Sequence, residues 1–132
     1  MRKPRASDKE ESVYLGYLLH NLYSSLEDFF LEITRTFENR IEDPARFHRE
    51  LLKRMLLDIP QTRPRVLSKE GFEVLDELRG FRHMFRHSYD YQLSAEKVEA
   101  LRQRVLAAWK LVERDLGLFE TFLKKYLEDR SS

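Results

Sequence analysis

A chain of 132 residues with 42% hydrophobic and 12% aromatic content can bury one sizeable core, which excludes wholesale disorder. Its 24 Lys and Arg stand against 23 Asp and Glu, so the net charge of +1 gives no global field that would coat a polyanion. The absence of cysteine excludes disulfides, thiolate zinc sites and a cysteine nucleophile.

Only four Gly and four Pro occur among 36% charged residues, a composition that favours helix over sheet. Ser7 and Glu10 have the spacing of a capping box, so a first helix is predicted from there to about Arg40. Its apolar stripe is Leu15, Leu18, Leu19, Leu22, Leu26, Phe29, Phe30, Ile33 and Phe37. Asp43-Pro44 predicts a second start, followed by Phe47, Leu51, Leu52, Met55, Leu56 and Ile59 up to Pro60. The segment PQTRPRVLS reads as a connection. Ser68 can cap a third helix with Phe72, Leu75, Leu78, Phe81 and Phe85 on its stripe.

After SYDY, Ser94 can cap a fourth helix carrying Val98, Leu101, Val105, Leu106, Trp109, Val112, Leu116, Phe119, Leu123 and Leu127. Gly117 falls inside that run and predicts a bend or a division into two helices. The expected architecture is an all-α antiparallel bundle of four to five helices in a single domain, 1–132, with 1–6 and 130–132 frayed. No apolar run reaches the ~18 residues of a membrane span, and MRKPRASDKEES lacks the apolar part of a secretory signal. A cytoplasmic protein without membrane contact is expected.

The third predicted helix ends in LRGFRHMFRHSYDYQL, where Arg79, Arg82, His83, Arg86 and His87 crowd together with no acid between Leu78 and Tyr89. At about 100° per residue these five share one arc of roughly 140°, and Phe72 and Leu75 begin the same meridian. An arc that starts apolar and turns basic borders an interface or cleft more readily than bulk water. A competing reading is that basic residues near a helix C-terminus complement the helix dipole. That explains one or two of the five. An Arg can grip a phosphate while a His moves a proton at neutral pH, and together they suffice for metal-free RNA cleavage.

RHMFRHSY, residues 82 to 89, resembles the Arg-x4-His-x-Tyr signature of HEPN-domain proteins, specifically the HepT-like toxins of prokaryotic toxin-antitoxin pairs. His83 stands where the family usually has Asn. The family places this signature near the end of the third helix of a small helical bundle, where the predicted helices also put it. The resemblance implies that Arg82 and His87 are the catalytic pair of an endoribonuclease, with His83 assisting or orienting them. Arg79 and Arg86 would bind RNA phosphate. It also implies that Tyr89 accepts AMP from a partner antitoxin, a cognate minimal nucleotidyltransferase. A half-buried phenol sealing the third helix against the fourth is the other reading of Tyr89.

Residues five apart on an unbroken helix point about 140° away from each other. Either the helix ends between Arg82 and His87, or two chains bring both motifs to one cleft, and a homodimer is expected. His83 and His87, four apart, could instead face one metal, but three neighbouring arginines disfavour a dication, and neither metal nor cofactor is expected. His20 and His48 are assigned to packing or surface, and Glu27 with Asp28 to solvated positions. The basic tracts RKPR and RPR, residues 63 to 65, are assigned to solvated loops. A non-catalytic HEPN-like module that binds nucleotide or a partner protein is the alternative to a ribonuclease.

Overall fold

The structure, a computed structural model, describes residues 6–38, 44–87 and 95–131. They form four helices: α1 (Ala6–Glu38), α2 (Pro44–Arg54), α3 (Lys69–His87) and α4 (Ala95–Ser131), with no β-strand among the described residues. The all-α bundle expected from the periodicity is present. Helices α1, α3 and α4 pack against one another, and α2 lies against α1 and α3.

Direction follows from paired residues. Ser68 meets Asp115 and Glu77 meets Arg104, so α3 runs against α4. Phe29 and Phe37 of α1 reach Phe119, and Phe37 also reaches Phe122 and Tyr126 further along α4, with ring centroids 5.6 and 5.0 Å away. Thus α1 ascends with α4. The core between them is built on fully buried Tyr23, Phe30, Leu75, Leu78, Val98, Val112 and Phe119. The α1 stripe is wider than the groove it fills, leaving Leu18 45% and Phe29 36% exposed.

Pro44 opens α2 as its missing N–H allows, but the helix stops at Arg54, short of Pro60. Beyond it the N–H groups of Met55, Leu56 and Leu57 donate to carbonyls three residues back, at 3.0 to 3.1 Å, tightening the chain out of α geometry. The Met55 carbonyl then accepts from Val66 and Leu67 at 2.8 and 3.0 Å, drawing the connection back onto the core. Gln61, with φ of 64°, takes the left-handed conformation at the tip.

Arg63 corrects the expectation of a solvated RPR tract. Its side chain is fully buried, and its guanidinium donates to the carbonyls of Leu57, Pro64 and Arg54 at 3.0 to 3.1 Å. Nε donates to the Glu38 carboxylate at 3.2 Å, and Arg54 pairs with the other Glu38 oxygen. One cation therefore closes the whole connection between α2 and α3.

Ser68 caps α3, its Oγ accepting the Gly71 N–H at 3.1 Å. The same hydroxyl donates to Asp115 Oδ2 at 2.7 Å, and the Ser68 N–H donates to that oxygen at 2.8 Å. Asp115 is buried, so α4 supplies a carboxylate that both orients the cap and pins the start of α3. A Cβ on Gly71 would overlap Asp115 Oδ2.

Gly117 does not divide α4, which continues through it as a single helix, and a Cβ there would meet nothing within 4 Å. The two glycines should therefore respond oppositely to alanine. Gly71→Ala is expected to destabilise by about 1 to 3 kcal/mol through the overlap with Asp115. Gly117→Ala should stabilise by up to about 1 kcal/mol through helix propensity. Urea midpoints of the two variants against wild type give the comparison.

Candidate functional site

The second half of α3 leaves the core with its sequence periodicity intact. Leu75 and Leu78 are buried, and one and two turns later the same meridian carries Arg79, Arg82 and Arg86. Arg82 is only 13% exposed. Its Nε donates to Ser24 Oγ of α1 at 3.1 Å, its Nη1 lies 3.9 Å from Glu27 Oε1, and its Cζ stands 5.9 Å from the centre of the Tyr23 ring. At 3.9 Å the carboxylate attracts the guanidinium without hydrogen bonding to it.

Glu27 has its stronger partner elsewhere. His48 Nδ1 of α2 lies 2.7 Å from Glu27 Oε2, so one buried carboxylate on α1 is shared between an imidazole from α2 and a guanidinium from α3. This corrects the reading of Glu27 as a solvated carboxylate. The sequence held a signal for it: Tyr23, Glu27, Phe30 and Thr34 recur at steps of four, three and four, which sets a carboxylate on the apolar meridian. Ser24 and His48 carried no such signal, because their roles arise only when three helices meet.

The remaining predicted residues are distributed as follows. Arg79 is partly buried, and its Nε donates to Asp76 Oδ1 at 2.9 Å, an oxygen that also lies 3.7 Å from Arg49 Nε. His83 is exposed on α3. The α3 backbone runs through Arg86 to His87, while the side chains of both, and the whole of Tyr89, lie outside the described residues. The proposed His83 and His87 metal pair is therefore outside them too. Because α3 continues to His87, it does not end between the two motif residues. Their backbone positions diverge by about 140° around the axis.

Acids thus stand beside two of the arginines: Asp76, one turn earlier on α3, at Arg79, and Glu27 of α1 at Arg82. Among the described residues no three His, Asp or Glu side chains converge as a metal ion would require. Chemically, the second half of α3 offers an oriented guanidinium with a small solvent-exposed part, on the helix that bears the two motif histidines.

The family model described as HepT-like protein matches residues 14–123. The chain is a HepT-like protein of the HEPN superfamily. No curated protein and no solved structure matches it. In this HepT-like chain the matched span takes in α2 and α3 whole, most of α1 and α4, and the complete Arg82 to Tyr89 signature. No described helix of the HepT-like chain is long and apolar enough to cross a membrane.

Tyr23 adds a pH dependence to the site. Burial pushes its phenol above the ordinary range, the Glu27 carboxylate pushes the same way, and Arg79 and Arg82 pull against them. Above about pH 10 the unfolded chain sheds a phenolic proton that the native state retains, so stability falls as pH rises. The loss from this one group is at most about 1.4 kcal/mol per pH unit. Tyr23→Phe should flatten the alkaline limb of stability measured by urea unfolding between pH 8.5 and 11, leaving the neutral range less affected.

Proposed function

We propose that this HepT-like protein is the toxin of a prokaryotic toxin-antitoxin pair, a cytoplasmic ribonuclease that needs no metal. In this reading Arg82 stabilises charge on the scissile phosphate, and His87 moves the proton to or from the ribose 2′-hydroxyl or leaving oxygen. His83 assists them, and Arg79 and Arg86 hold flanking phosphates. The observation that carries the reading is the placement of Arg82: a mostly buried guanidinium fixed by Ser24 and Glu27 of another helix. An arginine serving only the helix dipole would have no need of that anchorage.

The continuous α3 backbone supports a composite site. A homodimer about a twofold axis can bring Arg82 of one chain and His87 of its partner to one linkage, which a single unbroken helix does poorly. Neutralisation is assigned to a minimal nucleotidyltransferase antitoxin that transfers AMP from ATP to the Tyr89 hydroxyl, with pyrophosphate leaving. An adduct there would place an anion where Arg82 and Arg86 otherwise receive RNA.

Co-expression with a cognate nucleotidyltransferase, followed by intact-mass measurement, tests this half of the reading. Adenylate additions are expected on wild type and should be absent from Tyr89→Phe; equal additions on both would overturn the assignment of Tyr89. RNA incubated with purified protein and chelator tests the other half, with cleavage expected from wild type and lost in His87→Ala.

A second reading has an observation of its own. Asp76 and Glu27 already offset charge at Arg79 and Arg82, as they would in a non-catalytic module that binds nucleotide or a partner protein through the same face. Wild-type protein that binds but does not cut RNA, with His87→Ala behaving identically, would favour that module.

A further inference from the structure

The Glu27 carboxylate is buried, faces an imidazole and a guanidinium from two helices, and lies within hydrogen-bond distance of only the imidazole. His48 holds Oε2 at 2.7 Å, and Arg82 is left 3.9 Å from Oε1. We propose that Glu27 is a positioning residue for Arg82, and that His48, by competing for the same carboxylate, keeps Arg82 available to an RNA phosphate. The inference rests on the ribonuclease reading for its kinetic consequence but not for its geometry.

A guanidinium carries five N–H donors in a rigid fork, more than Ser24 Oγ and one distant carboxylate oxygen engage among the described residues. Were Glu27 free to form a bidentate pair with Arg82, the carboxylate would occupy the edge that a phosphate must take. Were Glu27 absent, Ser24 alone would hold Nε, and the fork could swing. The observed arrangement lies between: Ser24 fixes the orientation, Glu27 attracts without closing, and His48 draws Glu27 toward α2.

Opposite substitutions should therefore have opposite signatures. Glu27→Gln removes both the attraction and a negative charge from the cleft. It is expected to lower kcat about tenfold as the guanidinium loses alignment, while KM falls about twofold because RNA meets less repulsion. His48→Gln releases Glu27 to Arg82 and is expected to raise KM several-fold. A merely structural loss would instead shrink the active fraction in both variants and leave KM unchanged.

A spectroscopic readout makes the test independent of cleavage. The Arg82 side-chain Nε–H signal, assigned by its loss in Arg82→Lys, should be resolved and slowly exchanging with solvent in wild type. With Ser24 still accepting it, the signal should persist but exchange faster with solvent in Glu27→Gln as the fork swings, and stay resolved and protected in His48→Gln. If wild type cuts no RNA, the ribonuclease reading fails while the signal still decides the positioning. If Glu27→Gln leaves both the signal and the kinetics as in wild type, the positioning role is overturned, whatever the enzyme's activity. Should Glu27→Gln fail to fold, His48→Gln and Ser24→Ala decide it. A signal that stays resolved in Ser24→Ala would show Glu27 positioning Arg82 without the hydroxyl, collapse to the free-arginine position would overturn it, and an unchanged KM in His48→Gln would sink the competition.

Discussion

Arg82→Ala is expected to lower RNA cleavage at saturating substrate by roughly 10² to 10³, the scale on which removal of one oriented charge-stabilising donor acts. The side chain sits at the end of a chain of supports, with the Ser24 hydroxyl on Nε, the Glu27 carboxylate near Nη1 and the Tyr23 ring beneath. That arrangement spends conformational entropy before substrate arrives, so the guanidinium need not be ordered during the reaction. Arg82→Lys should recover little of the loss. Lysine keeps the charge but presents no planar fork and no Nε for Ser24. Because Glu27 retains His48 in either variant, the melting temperature should fall only modestly, and a circular dichroism melt distinguishes a lost site from a lost fold. Cleavage by Arg82→Ala at the wild-type rate would remove the catalytic reading and leave the binding module.

The largest effect on stability is expected outside the α3 motif. Arg63→Ala should destabilise by about 3 to 5 kcal/mol, because it strips a buried ion pair of its cation. Three carbonyls, of Leu57, Pro64 and Arg54, lose a donor in a place where water does not easily follow, and Glu38 is left with Arg54 alone. Against a total of roughly 5 to 15 kcal/mol for an ordinary domain, that is a large share. Guanidinium unfolding should show a lower midpoint. Arg63→Lys should recover only part of the difference, since one ammonium has three donors for four acceptors spread around the guanidinium plane.

How much of this was legible depends on the range over which each feature is decided. Helix positions were, because capping and the 3.6-residue period are local: Pro44 opens α2 and Ser68 caps α3 where the residue types indicate. The end of α2 was misjudged because Leu56 and Ile59 keep the apolar rhythm. The N–H bonds of Met55 to Leu57 and the return of Val66 override that rhythm. Gly117 suggested a break, yet its surroundings are open and nothing in the packing asks the helix to bend. Arg63, Glu38, Asp115 and Glu27 could not be placed by composition. A charged residue is assigned to water by default, and only a partner from another segment of the chain makes its burial tolerable.

For the site the division is similar. The motif gave Arg82, His83 and His87 as chemistry on one helix, but the residues that hold Arg82 belong to α1. The apparent surplus of positive charge was a property of the linear stretch. In three dimensions Asp76 and Glu27 stand beside two of its arginines.

The staple at the start of α3 carries one more implication. Gly71 lies about 16 Å along the helix axis from Arg82, at a rise of about 1.5 Å per residue. A Cβ added there meets the α4 carboxylate of Asp115 and the Ser68 hydroxyl, neither of them a motif residue. Graded substitutions at that single position could therefore furnish temperature-conditional alleles, active when cool and collapsed when warm, whose reacting groups remain chemically unaltered.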